Sequence, residues 1–269
     1  MTTATNGVLV AACALALAAG CGGDDGTADA QAGADLPQGS EPFELDPADF
    51  TTEIDNRYWP MKPGTRWTYR ELDDEGRTLT VVTTVSSETK KLANAITARV
   101  VRDTVITEDG EVVEDTFDWY AQDSKGNIWY LGEDTAEFEE GAVTTRSGSW
   151  EAGVDGALAG VAIPADPVDD MQYRQEYYAG EAEDVGEVLS TKEQAQVPAG
   201  HYLNALLTKD TSALEPNVLE YKLYAPSVGP VLTLGVSGAG DREELLKVEL
   251  VAAVAARAAG TTPLGRRYA

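Results

Sequence analysis

The spacing of its turns constrains this chain more than any other feature. Asp73–Gly76, Asp109-Gly110, Asp123–Asn127, Pro198-Ala199-Gly200, Pro226–Gly229 and Gly238–Asp241 punctuate the sequence at short intervals. Asp-Gly between apolar runs is a strong hairpin signal, because both residues tolerate the positive φ that a two-residue turn demands. The intervening segments are rich in β-branched and aromatic residues, which suit a pleated, half-buried surface. Trp67 and Tyr69 alternate with Arg66, Thr68 and Arg70, the period of a strand with one face in a core. Similar segments run over 77–89, 96–107, 112–122, 128–131, 171–179, 184–190, 192–197, 201–209, 219–225, 229–236 and 243–251. Strands joined this tightly pair with their chain neighbours, so the expected fold is all-β. It is an antiparallel meander forming a strongly curved sheet or a sandwich, with loop cover and little helix. Two stretches read differently. Residues 132–170 carry Gly141, Gly148, Gly153, Gly156, Gly160, Pro164 and Pro167 and are expected as loop and short strands covering the sheet. Residues 243–259 admit a helix with Leu246, Leu250 and Val254 on one face, but a strand to Val251 followed by a frayed Ala-rich tail is preferred.

The N-terminus sets the compartment. Val8 to Ala19 is an unbroken small-and-apolar run of signal-peptide length, shorter than the ~20 residues that span a bilayer. Leu17-Ala18-Ala19-Gly20-Cys21 resembles the lipobox of bacterial lipoproteins, with Ala18 where that pattern usually has leucine and no Lys or Arg in Met1–Asn6. The resemblance implies cleavage before Cys21, acylation of its sulfur, and anchorage on the extracytoplasmic side of a membrane. From Gly22 to about Pro47 the composition cannot bury enough apolar surface to offset its ordering entropy. The expected organisation is therefore a signal peptide over 1–20, an acidic flexible tether over 21–49, a β domain over 50–251 and an Ala/Arg tail over 252–269. Phe43, Leu45 and Phe50 are candidates to dock on the domain.

Charge narrows the partners. The chain carries 46 acids against 20 Lys and Arg, a net charge of −26. Phosphate repels such a surface, so nucleic acid is excluded as a partner and anionic headgroups are repelled. Attachment then rests on the acyl chains, at ~0.8 kcal/mol per buried CH2. Solubility is the first reading of the acid. The two cysteines are Cys13, inside the signal, and Cys21, which leaves the mature domain without a thiol. That removes disulfides, a Cys nucleophile and a Cys zinc site.

Three segments resemble a widespread group of uncharacterised bacterial envelope lipoproteins. They are Tyr58-Trp-Pro-Met-Lys-Pro-Gly-Thr-Arg-Trp-Thr-Tyr69, then Asp118-Trp-Tyr-Ala-Gln-Asp-Ser-Lys-Gly-Asn-Ile-Trp-Tyr-Leu-Gly132, then Val197–Tyr202 with Tyr224–Val231. The resemblance spans about Phe50 to Val251 and implies the envelope and the β meander, with no activity attached. A more distant likeness, of fold class alone, is to envelope lipoproteins whose curved sheet cups a lipid tail.

No segment carries a strong catalytic signature. His201 is the single histidine, it follows a Pro-Ala-Gly turn, and no Gly-x-Ser-x-Gly elbow supplies a serine for it. Asp73–Glu75, Asp123–Asn127 and Asp166–Asp170 are acidic loops without the spaced ligands of a calcium loop. No metal, cofactor or phosphate loop is expected. The aromatics remain, and core packing is their first reading. A second face is a stacking surface for an apolar ligand, for which Trp67, Trp119, Trp129, Tyr130 and Tyr177 are the candidates. The expected function is a monomeric, non-enzymatic binding module on the membrane, for an apolar or lipidic small ligand. Its alternatives are a protein-interaction module of the envelope and a carboxylate-based hydrolase.

Overall fold

The computed structural model describes residues 36–73, 76–237 and 241–268. The lipobox, Cys21 and most of the acidic tether lie outside them, as do residues 238–240 of one turn and residues 74 and 75 of another. The first strands are β1 (Phe50–Thr51), β2 (Thr65–Leu72), β3 (Thr78–Lys91), β4 (Thr97–Thr107), β5 (Val112–Asp123) and β6 (Ile128–Glu139). Then come β7 (Ala142–Thr145), β8 (Trp150–Glu151), β9 (Leu158–Ile163), β10 (Gln172–Arg174) and β11 (Glu176–Tyr177). The last are β12 (Asp184–Val197), β13 (Gly200–Ser212), β14 (Leu219–Ala225), β15 (Gly229–Ser237), β16 (Arg242–Leu250) and a helix α1 (Ala253–Thr261).

The strands pair antiparallel in the order β10-β12-β13-β14-β15-β16-β2-β3-β4-β5-β6-β9-β11. This is the meander expected from the turns. Its two end members, β10 and β11, are separated by Gln175 alone. They are halves of one extended segment, with β12 on one side and β9 on the other. The sheet thus returns on itself as a nearly closed barrel. Closure needs a bare Cα at Gly160, because a Cβ there would collide with the Gln175 carbonyl. Arg174, 2% exposed, stitches the seam by donating from Nε and Nη2 to the Ala159 carbonyl at 3.1 and 2.8 Å.

An antiparallel meander puts alternate turns at opposite ends of the barrel. One end holds the β3–β4, β5–β6, β12–β13 and β14–β15 turns, and the segment Ile54–Met61 plugs it. There the Ser227 amide donates to the Arg57 carbonyl at 2.7 Å, and Asn56 Nδ2 donates to the carbonyls of Gly126 and Pro164 at 3.0 and 3.3 Å. Trp67 and Met61 are buried in the plug. Gly229, with φ +112°, lies beneath it, and a Cβ would come within 2.9 Å of the Trp59 ring. The other end, carrying the β2–β3, β4–β5 and β13–β14 turns, has no such plug among the described residues.

Three segments depart from expectation. Residues 132–170 are in part wall rather than cover. β6 continues through Gly132, whose φ of +126° lets Trp150 and Glu151 pack against its bare Cα, and β9 pairs with β6. Gly141, Gly148, Gly153 and Gly156 lie in turns, as expected, whereas Gly160, read as loop, is a close-approach point within β9. The Ala-rich stretch after Leu250 is not frayed but forms α1. Ala255, Ala256 and Ala259 are buried, and Gly260 admits the Ser86 side chain against the helix. The stretch Leu36–Asp49, read from composition as tether, lies against the barrel. Arg174 Nη1 donates to the carbonyls of Gly39 and Glu41 at 2.9 and 2.8 Å, and Phe43 sits 5.5 Å from the Trp129 ring.

Candidate functional site

The barrel interior holds a cavity of about 250 Å3. Each strand contributes by its period of two. β2 places Tyr69 inward, β4 Val101 and Asp103, β5 Asp118 and Tyr120, and β14 Lys222 and Tyr224. Trp59 reaches in from the plug, and its ring lies 5.3 Å from Tyr120 and 6.0 Å from Tyr224. Tyr120 stacks on Tyr130 at 4.9 Å. Around these rings stand six carboxyls, those of Asp103, Asp118, Glu176, Asp184, Asp210 and Glu243, against the one ammonium of Lys222.

The register makes this charge costly. Glu243 pairs with Glu71, Asp210 with Glu220, Asp118 with Glu133 and Glu114 with Glu137. Like charges directly opposite on one sheet face destabilise it. The structure relieves part of the repulsion by holding protons. Burial pushes Asp103 up to about 6, Glu243 up to about 8 and Glu176 up to about 9, with neighbouring carboxylates adding to each. Tyr130 Oη lies 2.9 Å from Asp118 Oδ1 and 2.8 Å from Glu133 Oε2. One phenol proton cannot fully satisfy two carboxylates, which favours a proton on one of them. Accordingly burial, then each other's charge, raises Asp118 well above the carboxylate range, and burial raises Glu133 to about 7. Trp150 Nε1 donates to Glu176 Oε2 at 2.9 Å. For Lys222, burial alone would depress the ammonium, but Asp210 at 2.9 Å and Glu220 at 3.3 Å outweigh it and hold it charged.

The cavity communicates with solvent at the unplugged end. An outer hollow of about 490 Å3 shares Gln175, Glu176, Asp184, Asp210 and Lys222 with it and adds Glu181, Glu215 and Glu220. A second hollow at that end is rimmed by Glu71, Glu108, Asp109, Glu114, Glu137 and Glu139, with Arg77, paired to Asp73, as its cation. The mouth of the barrel is therefore as acidic as its interior.

Of the five aromatic candidates, Tyr130 alone lines the cavity. Trp67 is sealed in the plug, with its indole N–H donated to the Val228 carbonyl at 2.7 Å. Trp119 carries the Lys90 ammonium 3.1 Å from its ring centroid. Trp129 donates to Asp123 Oδ2 at 2.8 Å and is covered by Phe43 and Phe50. Tyr177 is half-buried on β11, opposite Leu158. His201 is exposed beside Gln194, away from the cavity. Asp123 spends its carboxylate inside its own turn, on the amides of Lys125 and Asn127. Among the described residues no group of three metal-ligating side chains converges, and no helix is long and apolar enough to cross a membrane.

Sequence reasoning missed Trp59, Tyr69, Tyr120, Tyr224 and the carboxyls. The signal was present in the parity: Tyr69 with Glu71, Asp118 with Tyr120, and Lys222 with Tyr224 are each two apart, hence on one face. A face that carries rings and charges together is neither an ordinary core nor an ordinary solvent face.

No protein-family model and no curated protein matches the chain. Among solved structures it is similar to a Bacteroides fragilis NCTC 9343 protein described as exported, with a YmcC-like fold. Identity there is 15%, over 72% of this chain and 100% of that one, with a TM-score of 0.41. It is also similar to a Parabacteroides distasonis ATCC 8503 protein described as a lipoprotein, at 12% identity, over 72% of this chain and 99% of that one, with a TM-score of 0.40.

Proposed function

We propose that this is an envelope lipoprotein, held through acylated Cys21 on the extracytoplasmic side of a membrane, whose barrel lumen binds a small polar ligand. One observation carries the reading: a barrel plugged at one end and open at the other, with a cavity framed jointly by rings and carboxyls. Six carboxyls are poor company for an acyl tail, since each buried charge or unpaired polar group costs free energy beside hydrocarbon. The lining therefore favours a polar occupant over the lipidic one expected from the aromatics. Its volume lies just below the ~300–1,000 Å3 of drug-sized sites, which suits a molecule of monosaccharide or diamine size.

The experiment is native mass spectrometry of the full chain, extracted from its own membranes in mild detergent. Ala162 lines the lumen, and Ala162→Phe fills it without altering the outer surface. The wild-type chain is expected to carry a small adduct that the filled variant lacks. Equal occupancy in the two would place the ligand elsewhere. Cys21→Ala, expressed alongside, is expected to move the protein from the membrane fraction to the soluble one, and its retention in the membrane would refute the anchor.

A further inference from the structure

We propose that the occupant of the lumen is a small organic ammonium compound that also carries a hydrogen-bond acceptor, an amino sugar or amino alcohol in class. This deepens, and rests on, the reading of the lumen as a ligand site. Three features of the wall carry it. The first is its charge, six carboxyls to one ammonium. The second is a frame of electron-rich faces, with the Tyr120 and Tyr224 rings 5.3 and 6.0 Å from that of Trp59 by centroid. A cation held over such faces away from bulk water gains ~1–2 kcal/mol from the ring quadrupoles.

The third is a pair of unsatisfied atoms. Asp210 is 7% exposed and lines the cavity, and its Oδ1 has no hydrogen-bond partner among the described residues. Lys222 reaches only its Oδ2. Trp59 Nε1, also in the cavity wall, is buried with nothing to donate to among the described residues. A buried orphan acceptor and a buried orphan donor call for an N–H and an oxygen on one ligand. Inorganic cations fit less well, because among the described residues no three carboxyls converge on a point as a metal ion requires. An anion would have to displace Asp210 from Lys222 and face the remaining carboxyls.

Such a ligand draws protons off the wall. Glu243, raised to about 8, faces Glu71 on β2, Asp103 on β4, and Glu220 and Lys222 on β14. A cation placed among them favours the ionised form, so binding releases protons near neutral pH.

The test is titration calorimetry on the full chain in detergent with three probes of one shape: glucosamine, glucose and glucuronate. Glucosamine is expected to bind saturably at millimolar concentration, at least ~10-fold tighter than the other two, with a heat that varies with buffer ionisation enthalpy. Asp210→Asn is expected to weaken it at least ~10-fold. Because that change orphans Lys222, Asp103→Asn serves as a second variant with the ion pair intact, and it too should lose affinity for glucosamine but not glucose. Equal or tighter binding of glucose or glucuronate, abolished by Ala162→Phe, would overturn the charge class while leaving the lumen as the site. Glucosamine binding that survives Ala162→Phe, or no saturable binding of any probe, would overturn the proposal, and an adduct by native mass spectrometry would then report separately on whether the lumen is a site.

Discussion

Replacing Asp115 by alanine is expected to cost ~3–5 kcal/mol, because it strands the most deeply buried cation of the protein. Arg102 and Asp115 are both 0% exposed and face out from the barrel wall beneath the C-terminal segment. The guanidinium forks onto both oxygens of Asp115, and Asp115 Oδ1 accepts from Thr104 Oγ1 at 2.8 Å. The Gly265 amide donates to Asp115 Oδ2 at 2.7 Å. The remaining guanidinium protons go to the carbonyls of Ala259, Thr262, Pro263 and Arg266, and Tyr268 lies 4.4 Å over the guanidinium carbon. This one arginine thus ties α1 and the residues after it to β4 and β5. Without Asp115 its charge has only carbonyl dipoles and the Tyr268 and Phe117 ring faces around it, and the Gly265 amide loses its acceptor. Urea unfolding of the full chain in detergent, followed by tryptophan fluorescence, reads the loss. At ~2–3 kcal/mol per molar the midpoint should fall by ~1–2 M. Limited proteolysis should cut after Leu250 in the variant first. The double variant Arg102→Met/Asp115→Leu should be more stable than either single one, since a hydrophobic pair carries no desolvation cost. A loss below ~1 kcal/mol for Asp115→Ala, or a double variant weaker than both singles, would refute the reasoning.

Two further outcomes follow from the fold. Asp103 at about 6, Glu114 and Glu133 at about 7, Glu243 at about 8 and Glu176 at about 9 all lie above their unfolded values. The native state therefore binds more protons than the unfolded one between about pH 4 and 9, and stability falls as pH rises through that window. Scanning calorimetry should find a higher Tm at pH 5 than at pH 8, and a Tm that climbs between them would contradict the buried carboxyls. Gly160→Ala should destabilise the barrel by ~1–3 kcal/mol by wedging β9 from Gln175. Hydrogen exchange is expected to quicken at Ala159, Gln175 and their neighbours first, and unchanged protection at that seam would mean the barrel does not close there.

The acids show where sequence reading stopped. A net charge of −26 reads as solubility, because carboxylates belong in water unless paired. Glu108, Asp109 and Glu139 satisfy that rule at the rim, but Asp103, Asp118, Glu176, Asp210 and Glu243 line the lumen instead. Composition counts charges and does not know which face of a strand they take. Likewise the tryptophans drew notice as large rings, yet Trp67, Trp119 and Trp129 serve the plug and the outer face, while the smaller Tyr69, Tyr120 and Tyr224 meet in the cavity.

Turn chemistry and residue alternation, both local, were sufficient for most strands outside 132–170, for their antiparallel succession and for the last strand over 242–250. Closure was not local. It depends on β10 and β11 meeting opposite edges of the same sheet, on Gly160 letting Gln175 approach, and on the number of strands that twist consumes before the edges meet. The helix after Leu250 is likewise a tertiary outcome: an alanine-rich segment of nine residues is marginal alone, and contact with β3 and β4 stabilises it. Once the sheet closes, one face of every strand becomes an interior. That step, which no single stretch of sequence encodes, turns a scatter of acids and rings into a site.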